Sequence, residues 1–348
     1  MKKTLFVTVS GFLFLFSCSN PEYFGYEIPE DCNGRCEFAH DMNSFKDAAV
    51  NSAARFSNCV CLKKGVVEGE VTVSKPLKII GRKDGTSLMT KISFHGVEDA
   101  LLSNVTFKNI AVKESAVSIS GSSVKLENVS FSNIRAGSIF GGRAVVVSGE
   151  KSEVLLENVE IDKTDGTGLL IDGIHKIKVE SSTISNCGFA GIWVQNSEGD
   201  DGAIEVFNSN INNIGAVSLQ ILGSSKLKIA NSKISGVNKR EINLEVVGDG
   251  IVIKNPKMNL EKSVVIKDIE IEGFYRAGII LDGEANSLLN GVEIKNISIF
   301  SKTGEFGAVV QNGKEPDDFR EGFKENPFLE KDLNLSEPLY IIETIQEM

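Results

Sequence analysis

A column of apolar residues returns about every 23 to 30 positions through roughly two thirds of the chain, and this repeat narrows the fold more than any other feature. Phe107, Phe131, Ile161, Ile184, Ile211, Ile234, Ile271 and Ile294 line up as anchors. Five residues before them stand Leu102, Leu126, Leu156, Val179, Val206, Ile229, Ile266 and Leu289, all apolar. Three after stand Ile110, Ile134, Thr164, Cys187, Ile214, Val237, Phe274 and Ile297. Self-similarity at such a period marks stacked units, each too small to bury its own apolar face.

Two turn columns decide which kind of stack forms. Three before the anchors come Asn104, Asn128, Asn158, Ser181, Asn208, Asn231, Asp268 and Gly291; two after come Asn109, Asn133, Lys163, Asn186, Asn213, Gly236, Gly273 and Asn296. Asn and Gly tolerate the left-handed backbone of sharp bends, and stacked Asn amides can hydrogen-bond from coil to coil. Between bends, apolar and polar residues alternate, as in Ile177-Lys178-Val179, which is strand patterning; the three-to-four spacing of helices is missing.

With these columns, and with an opening of amphipathic helix, short strand, Gly, strand and then Lys75-Pro76-Leu77-Lys78-Ile79-Ile80-Gly81, the chain resembles the right-handed parallel β-helix proteins of the pectin-lyase-like superfamily. The resemblance covers roughly 44–312 and implies an all-β, single-stranded parallel β-helix with an N-terminal capping helix. The predicted helix runs from Ser44, as N-cap, to Phe56, with Phe45, Ala48, Ala49 and Ala53 plugging the first coil. Residues 313–348 hold three of the seven prolines and the apolar patch Leu339-Tyr340-Ile341-Ile342; they read as a C-terminal cap or arm docking that patch on the last coil. The 348 residues, with 33 Gly and one Trp, suit one elongated domain.

Residues 1–18 read as a processing signal: Lys2 and Lys3, an apolar run from Leu5 to Phe16, then Leu15-Phe16-Ser17-Cys18, which resembles the bacterial lipoprotein cleavage box with Cys18 as the lipidated residue. The run is too short to span a bilayer. An exported protein held to the outer membrane or cell surface is expected, a plain secretory signal being the alternative. The arm 19–43 carries Cys32 and Cys36, and the first coil carries Cys59 and Cys61 on one strand face; two disulfides tying arm to coil are expected, with a four-cysteine zinc site as the rival. Cys187 falls in an inward column, a buried free thiol.

Removing Lys2 and Lys3 takes the 37 basic residues to 35 against 47 acidic ones, a net charge near −12. This disfavours nucleic acid, anionic lipid by a basic patch, and polyanionic glycans unless calcium bridges them. The three histidines, His40, His95 and His175, share no ligand spacing.

The surface able to carry chemistry is the outward side of the strands Leu169-Leu170-Ile171, Ile192-Trp193-Val194, Leu219-Gln220-Ile221, Ile242-Asn243-Leu244 and Ile279-Ile280-Leu281. Their outward columns read Leu170, Trp193, Gln220, Asn243, Ile280 and then Asp172, Gln195, Leu222, Glu245, Asp282. A Trp among amides and carboxylates suits a sugar, whose ring face is apolar and whose hydroxyls need directional partners. Trp193, Asp172, Gln195, Gln220 and Asn243 are the substrate-binding candidates, and a covering arm or tail is the plainer account of the apolar stripe. Glu245 and Asp282, in neighbouring coils, form the best acid/base or calcium pair; Arg240 and Arg276 lie close in register, as base candidates of a lyase or as partners of surface carboxylates. Thr164-Asp165-Gly166 and Gly199-Asp200-Asp201-Gly202 are faintly similar to polygalacturonase signatures but sit where Asp-Gly is ordinary turn chemistry, and the Gly-His-Gly and Arg-Ile-Lys elements of those enzymes have no counterpart. The sequence thus leaves two functions: a lipid-tethered rod binding glycan or an envelope partner, or a polysaccharide lyase, less readily a hydrolase, on the same face.

Overall fold

The computed structural model describes residues 36–51, 58–63, 65–82, 86–149, 151–197, 202–223, 226–242, 245–254, 264–282 and 292–300, and beyond them the strands Phe306–Gln311, Phe323–Lys324, Leu333–Leu335 and Leu339–Ile342. Within these the chain is a parallel β-solenoid of about eight turns with a single short helix. Each turn lays down three strands. Ala100–Ser103, Thr106–Ala111 and Ser115–Ser120 lie on the first, second and third faces; each stacks on an earlier strand and pairs in parallel with its counterpart one turn later.

The core is the stack of inward columns. Leu102, Leu126, Leu156, Val179, Val206 and Ile229 are buried on the first face, and Phe107, Phe131, Ile161, Ile184, Ile211 and Ile234 on the second. Like residues fall on like, so Phe107 and Phe131 stack with ring centroids 4.8 Å apart. Each such side chain contributes about 1.5–3 kcal/mol of burial. The order of the stack is corrected at its end: Ile299, not Ile294, pairs with Ile271, and Ile294 pairs with Ile266. Apolar columns five residues apart look alike, so a slip of five left every column apolar.

Both turn columns adopt the left-handed conformation. Asn104, Asn128, Asn158, Ser181, Asn208, Asn231 and Asp268 have φ between 50° and 54°, and Asn109, Asn133, Lys163, Asn186, Asn213, Gly236 and Gly273 lie between 51° and 64°. Their amides form ladders: Asn128 Nδ2 donates to Asn104 Oδ1 (3.3 Å), Asn133 to Asn109 (2.6 Å), Asn238 to Asn213 (3.0 Å) and Asn296 to Asp268 (2.7 Å). Buried hydroxyls do the same at other corners. Ser182, Ser209 and Ser232 Oγ accept the backbone N–H of Val159, Ser182 and Ser209 at 3.0, 3.1 and 3.2 Å. The serine corners thereby complete backbone hydrogen bonds of the coil before them, which a buried corner requires.

The N-terminal end is closed by the helix Met42–Asn51, whose Phe45 and Ala49 are buried on the first coil. Its N-cap is Asp41 rather than Ser44: Asp41 Oδ1 accepts from Ser44 N–H (2.8 Å) while Ser44 Oγ accepts from Asp41 N–H (3.0 Å), a reciprocal cap. These bonds hold the Asp41 carboxyl below its ordinary pKa, the backbone bond from Ser44 contributing most. Alongside, Glu37–Ala39 pairs in parallel with Cys59–Leu62, and the Cys36–Cys59 disulfide lies beside that pairing with Cα atoms 4.6 Å apart. Cys61 is disulfide-bonded too, so the thiolates a zinc site needs are consumed; Cys18 and Cys32 lie outside the described residues. At the other end Leu339–Ile342 pairs in parallel with Phe306–Gln311, and Leu333–Leu335 with the second-face strand, so the sheets continue past Asn312.

Candidate functional site

The outward side of the third face is set by Leu169–Asp172, Ala190–Ser197, Val217–Gly223, Asp249–Lys254 and Ala277–Asp282. Leu170, Trp193, Gln220, Val252 and Ile280 fall in line, and Asp172 pairs with Gln195. This corrects the expected register at one coil. Val252 and Lys254, not Asn243 and Glu245, follow Gln220 and Leu222, and Lys254 is the neighbour of Asp282. Residues 240–247 instead form an antiparallel hairpin, Arg240–Ile242 with Glu245–Val247, in which Glu245 faces Ile242. Asn243 and the side chains of Glu245 and Asp282 lie outside the described residues, but the backbone register already removes the adjacent-coil pairing on which their acid/base or calcium role was built.

The reason is steric and could have been read from the sequence. Just before each inward residue of this face stand Ala116, Ala144, Gly168, Gly191, Ser218, Gly250 and Gly278. A Cβ on Gly191 would sit 2.6 Å from Ser218 O and 2.7 Å from Ile211 Cγ2, and one on Gly168 2.8 Å from Gly191 O. Glu241 cannot take that place; Gly250 can. The insertion therefore leaves the stack as a hairpin, and the strand resumes at Asp249.

The arginines also have partners. Arg276 Nε and Nη2 donate to Asp249 Oδ1 and Oδ2 at 2.8 and 2.5 Å, and Ala277 N–H adds a third bond to Oδ1 at 3.2 Å. Asp249 has no exposed surface, and its carboxyl pKa is raised because desolvation outweighs these contacts. Arg240 Nη1 donates to Gly188 O, crossing over Gly215 and pinning the hairpin to the coil that carries Trp193. Neither guanidinium is poised as a base.

Trp193 is half-buried in a cluster with Phe189, Val217, Val252 and Ile280, on which Ile139 and Val247 also pack. Its ring lies 4.4 Å from that of Phe189, which lies 5.8 Å from Phe140, and Phe140 is 56% exposed. The loop 136–142 presents Phe140 because Asp165 Oδ2 accepts from Ala136 and Gly137 N–H, both at 2.8 Å, and Arg143 Nη2 donates to Phe140 O at 2.5 Å. Asp165 is thus a loop brace, and residues 199–201 lie outside the described ones. Arg143 is partly buried, which draws its pKa down, while Glu114 and Asp172 offset that by charge. Asp172 Oδ1 accepts from Asn196 Nδ2 at 2.7 Å, where a bulge interrupts the pairing between Val194 and Ser197. The Trp193 Nε1–H is enclosed without a hydrogen-bond partner among the described residues, and a buried donor left unmet costs about 1–3 kcal/mol.

Asp282 shares this face in the register, and the carboxylates whose side chains are described on it are Asp172 and Asp249. They stand three coils and five strand positions apart, about 20 Å, against the roughly 5–10 Å that a glycosidic carboxylate pair requires. Other polar groups are structural. His175 is fully buried, its Nδ1 accepts from Ser152 N–H (3.1 Å) and its Nε2 donates to Asp172 O (3.0 Å), so it continues a hydroxyl ladder as a neutral ring. Burial pushes the Cys187 thiol up to about 12. On the first face a groove of about 500 Å³ runs past Lys125, Glu153, Lys176 and Lys178, and these lysines are paired to glutamates, Lys125 with both Glu127 (2.9 Å) and Glu157 (2.6 Å).

Against known proteins, the family described as right handed beta helix region matches residues 90–234. The fold is a right-handed parallel β-helix. No curated protein sequence matches the chain. Among solved structures, the β-helix is similar to the catalytic domain of Agl-KA, with a TM-score of 0.50 at 11% identity over 91% of this chain and 69% of that one. It is also similar to PfbA, a surface adhesin of Streptococcus pneumoniae (0.47, 13%, 83% and 90%), and to a mannuronic acid specific polysaccharide family 6 lyase from human gut microbiota (0.39, 8%, 82% and 86%). Identities this low bear on the fold alone, and a fold by itself assigns no function.

Proposed function

We propose that the protein is an exported, lipid-anchored β-helix rod that holds a glycan on the outward side of its third face. The observation that carries this reading is the aromatic run Phe140–Phe189–Trp193 beside Gln195, Gln220 and Asp172, on a face where no carboxylate pair is assembled among the described residues. Aromatic rings meet the apolar side of a sugar, and amides and a carboxylate meet its hydroxyls. Export is supported by the disulfides at the N-terminal end, which persist in oxidising compartments. Anchoring rests on the signal ending at Cys18 and is checked by acyl-chain mass spectrometry of the Cys18→Ala variant against the parent.

The test of the site is retention on immobilised polysaccharides, with and without calcium, while unsaturated products and reducing ends are followed. Retention that Trp193→Ala weakens tenfold or more, a change of about 1.4 kcal/mol, supports the reading. Product release would replace it with a lyase or hydrolase on the same face.

A further inference from the structure

The outward side of the first face carries its charges in an order that suits a second copy of the chain. Along the solenoid axis one outward column runs Glu157, Glu180, Phe207, Ala230, Lys267 and Lys295, acidic at one end, apolar in the middle and basic at the other. The acidic end is partly neutralised within the chain, where Lys125 meets Glu157 and Lys178 meets Glu180, both at 2.6 Å. At the basic end Lys267 and Lys295 reach solvent and make no ion pair among the described residues. Phe207 is half-buried, with the Lys178 and Lys228 ammonium groups 5.7 and 5.1 Å from its ring centroid. The neighbouring outward column sets Glu205 beside Lys228 in the next coil.

A two-fold axis lying in the contact plane along the strands reverses the order of the coils and keeps each column facing itself. Centred between the coils of Phe207 and Ala230, it sets Glu180 on Lys267, Glu157 on Lys295, Glu205 on Lys228 and Phe207 on Ala230, each contact occurring twice. Moving the centre half a coil spacing one way sets Lys178 on Lys228 and Glu205 on its own copy; moving it the other way sets Lys228 on its own copy. Of the three registers only the first faces no like charges. The six strands from Glu153–Glu157 to the start of Val292–Phe300 cover about 29 by 17 Å, so a contact over them buries roughly 1,000 Å² in total. That is the low end for a specific interface.

We infer that the first face is a self-association surface, on which two copies of this chain dock antiparallel in a weak dimer whose register is set by charge. The contact does not use the Trp193 face, and the inference does not rest on the glycan reading. Exposed charges fix register and partner more than affinity, so the dimer weakens as salt is raised.

The experiment is sedimentation equilibrium of the full-length protein in detergent, over a series of concentrations at low and high salt. A salt-sensitive dimer is the expected result. Glu205→Lys and Lys228→Glu each place like charges across the two-fold axis and weaken it tenfold or more, whereas an equimolar mixture of the two variants pairs opposite charges and associates as the parent does. Lys267→Glu and Glu180→Lys, alone and mixed, read the same register at a second contact, and melting curves show that each variant has folded. Monomer at every concentration, a dimer indifferent to these substitutions, or a loss that mixing does not restore overturns the inference.

Discussion

Single atoms in the bends determine how one coil sits on the next. Asn213 has φ 51°, receives a hydrogen bond from Asn238 and donates to Asn186, on an exposed corner. Replacing it by Gly removes only the ladder bonds, whereas Ala adds the cost of a left-handed Cβ. Asn213→Ala is expected to be less stable than Asn213→Gly by about 1 kcal/mol, read from urea midpoints at equal m-value. His175 gives a pH signature. Burial holds its folded pKa below the unfolded value of about 6.5, so between the two the unfolded chain binds more protons. Its contribution is present above pH 6.5 and is lost as pH falls toward the folded pKa. A melting temperature that drops between pH 7 and 5 in the parent, and drops less in His175→Asn, which keeps an acceptor for Ser152 N–H, is the expected outcome.

Elements show where strands are tied to what they carry. Asp249 opens the strand that follows the hairpin, and its ion pair with Arg276 spans two coils in a site without solvent. Arg276→Met leaves that carboxylate uncompensated and is expected to cost roughly 3–5 kcal/mol near neutral pH. The loss should shrink in acid, where the carboxyl can take a proton; a loss independent of pH would show that packing, not charge, was removed. The same strands show what the sequence makes legible. Asn, Asp and Gly report left-handed bends locally, so both turn columns could be placed from residue type up to the coil of Ile271, where even Lys163 and Ser181 keep the conformation their column dictates; beyond it Asn296, read in the second column, stacks on Asp268 of the first. Apolar columns carry no such identity. Ile294 and Ile299 were interchangeable by pattern, and Ile242-Asn243-Leu244 alternated as well as Ile251-Val252-Ile253 did. Only the run of small residues from Gly168 to Gly278, a tertiary constraint imposed by a neighbouring carbonyl, tells the two strands apart. Period alone placed Trp193, Gln220, Asp172 and Gln195 on one outward face, as the register has them. Phe140 and Phe189 were missed because they stand in corner segments between strands, and Arg143 because it opens its strand opposite Ser115, where no apolar repeat marks the position.

As a whole the molecule is a one-dimensional stack in which each coil touches its neighbours, so damage should stay local. Reducing the disulfide Cys36–Cys59 releases the strand Glu37–Ala39 from the first coil. Amide exchange is expected to rise by an order of magnitude or more in Glu37–Ala39 and Cys59–Leu62 and to remain unchanged in Leu169–Asp172. A uniform rise along the rod would mean that the stack unfolds as one cooperative unit.

The loop 136–142 and the hairpin 240–247 both leave the chain at the corner between the second and third faces, and each ends beside the Trp193 platform. At that corner the solenoid accepts extra residues without changing the pitch beneath. The rod thus behaves as a spine with interchangeable fingers: its grip can be altered by exchanging one corner segment at a time, while the stacked coils that hold the fingers in place are left as they are.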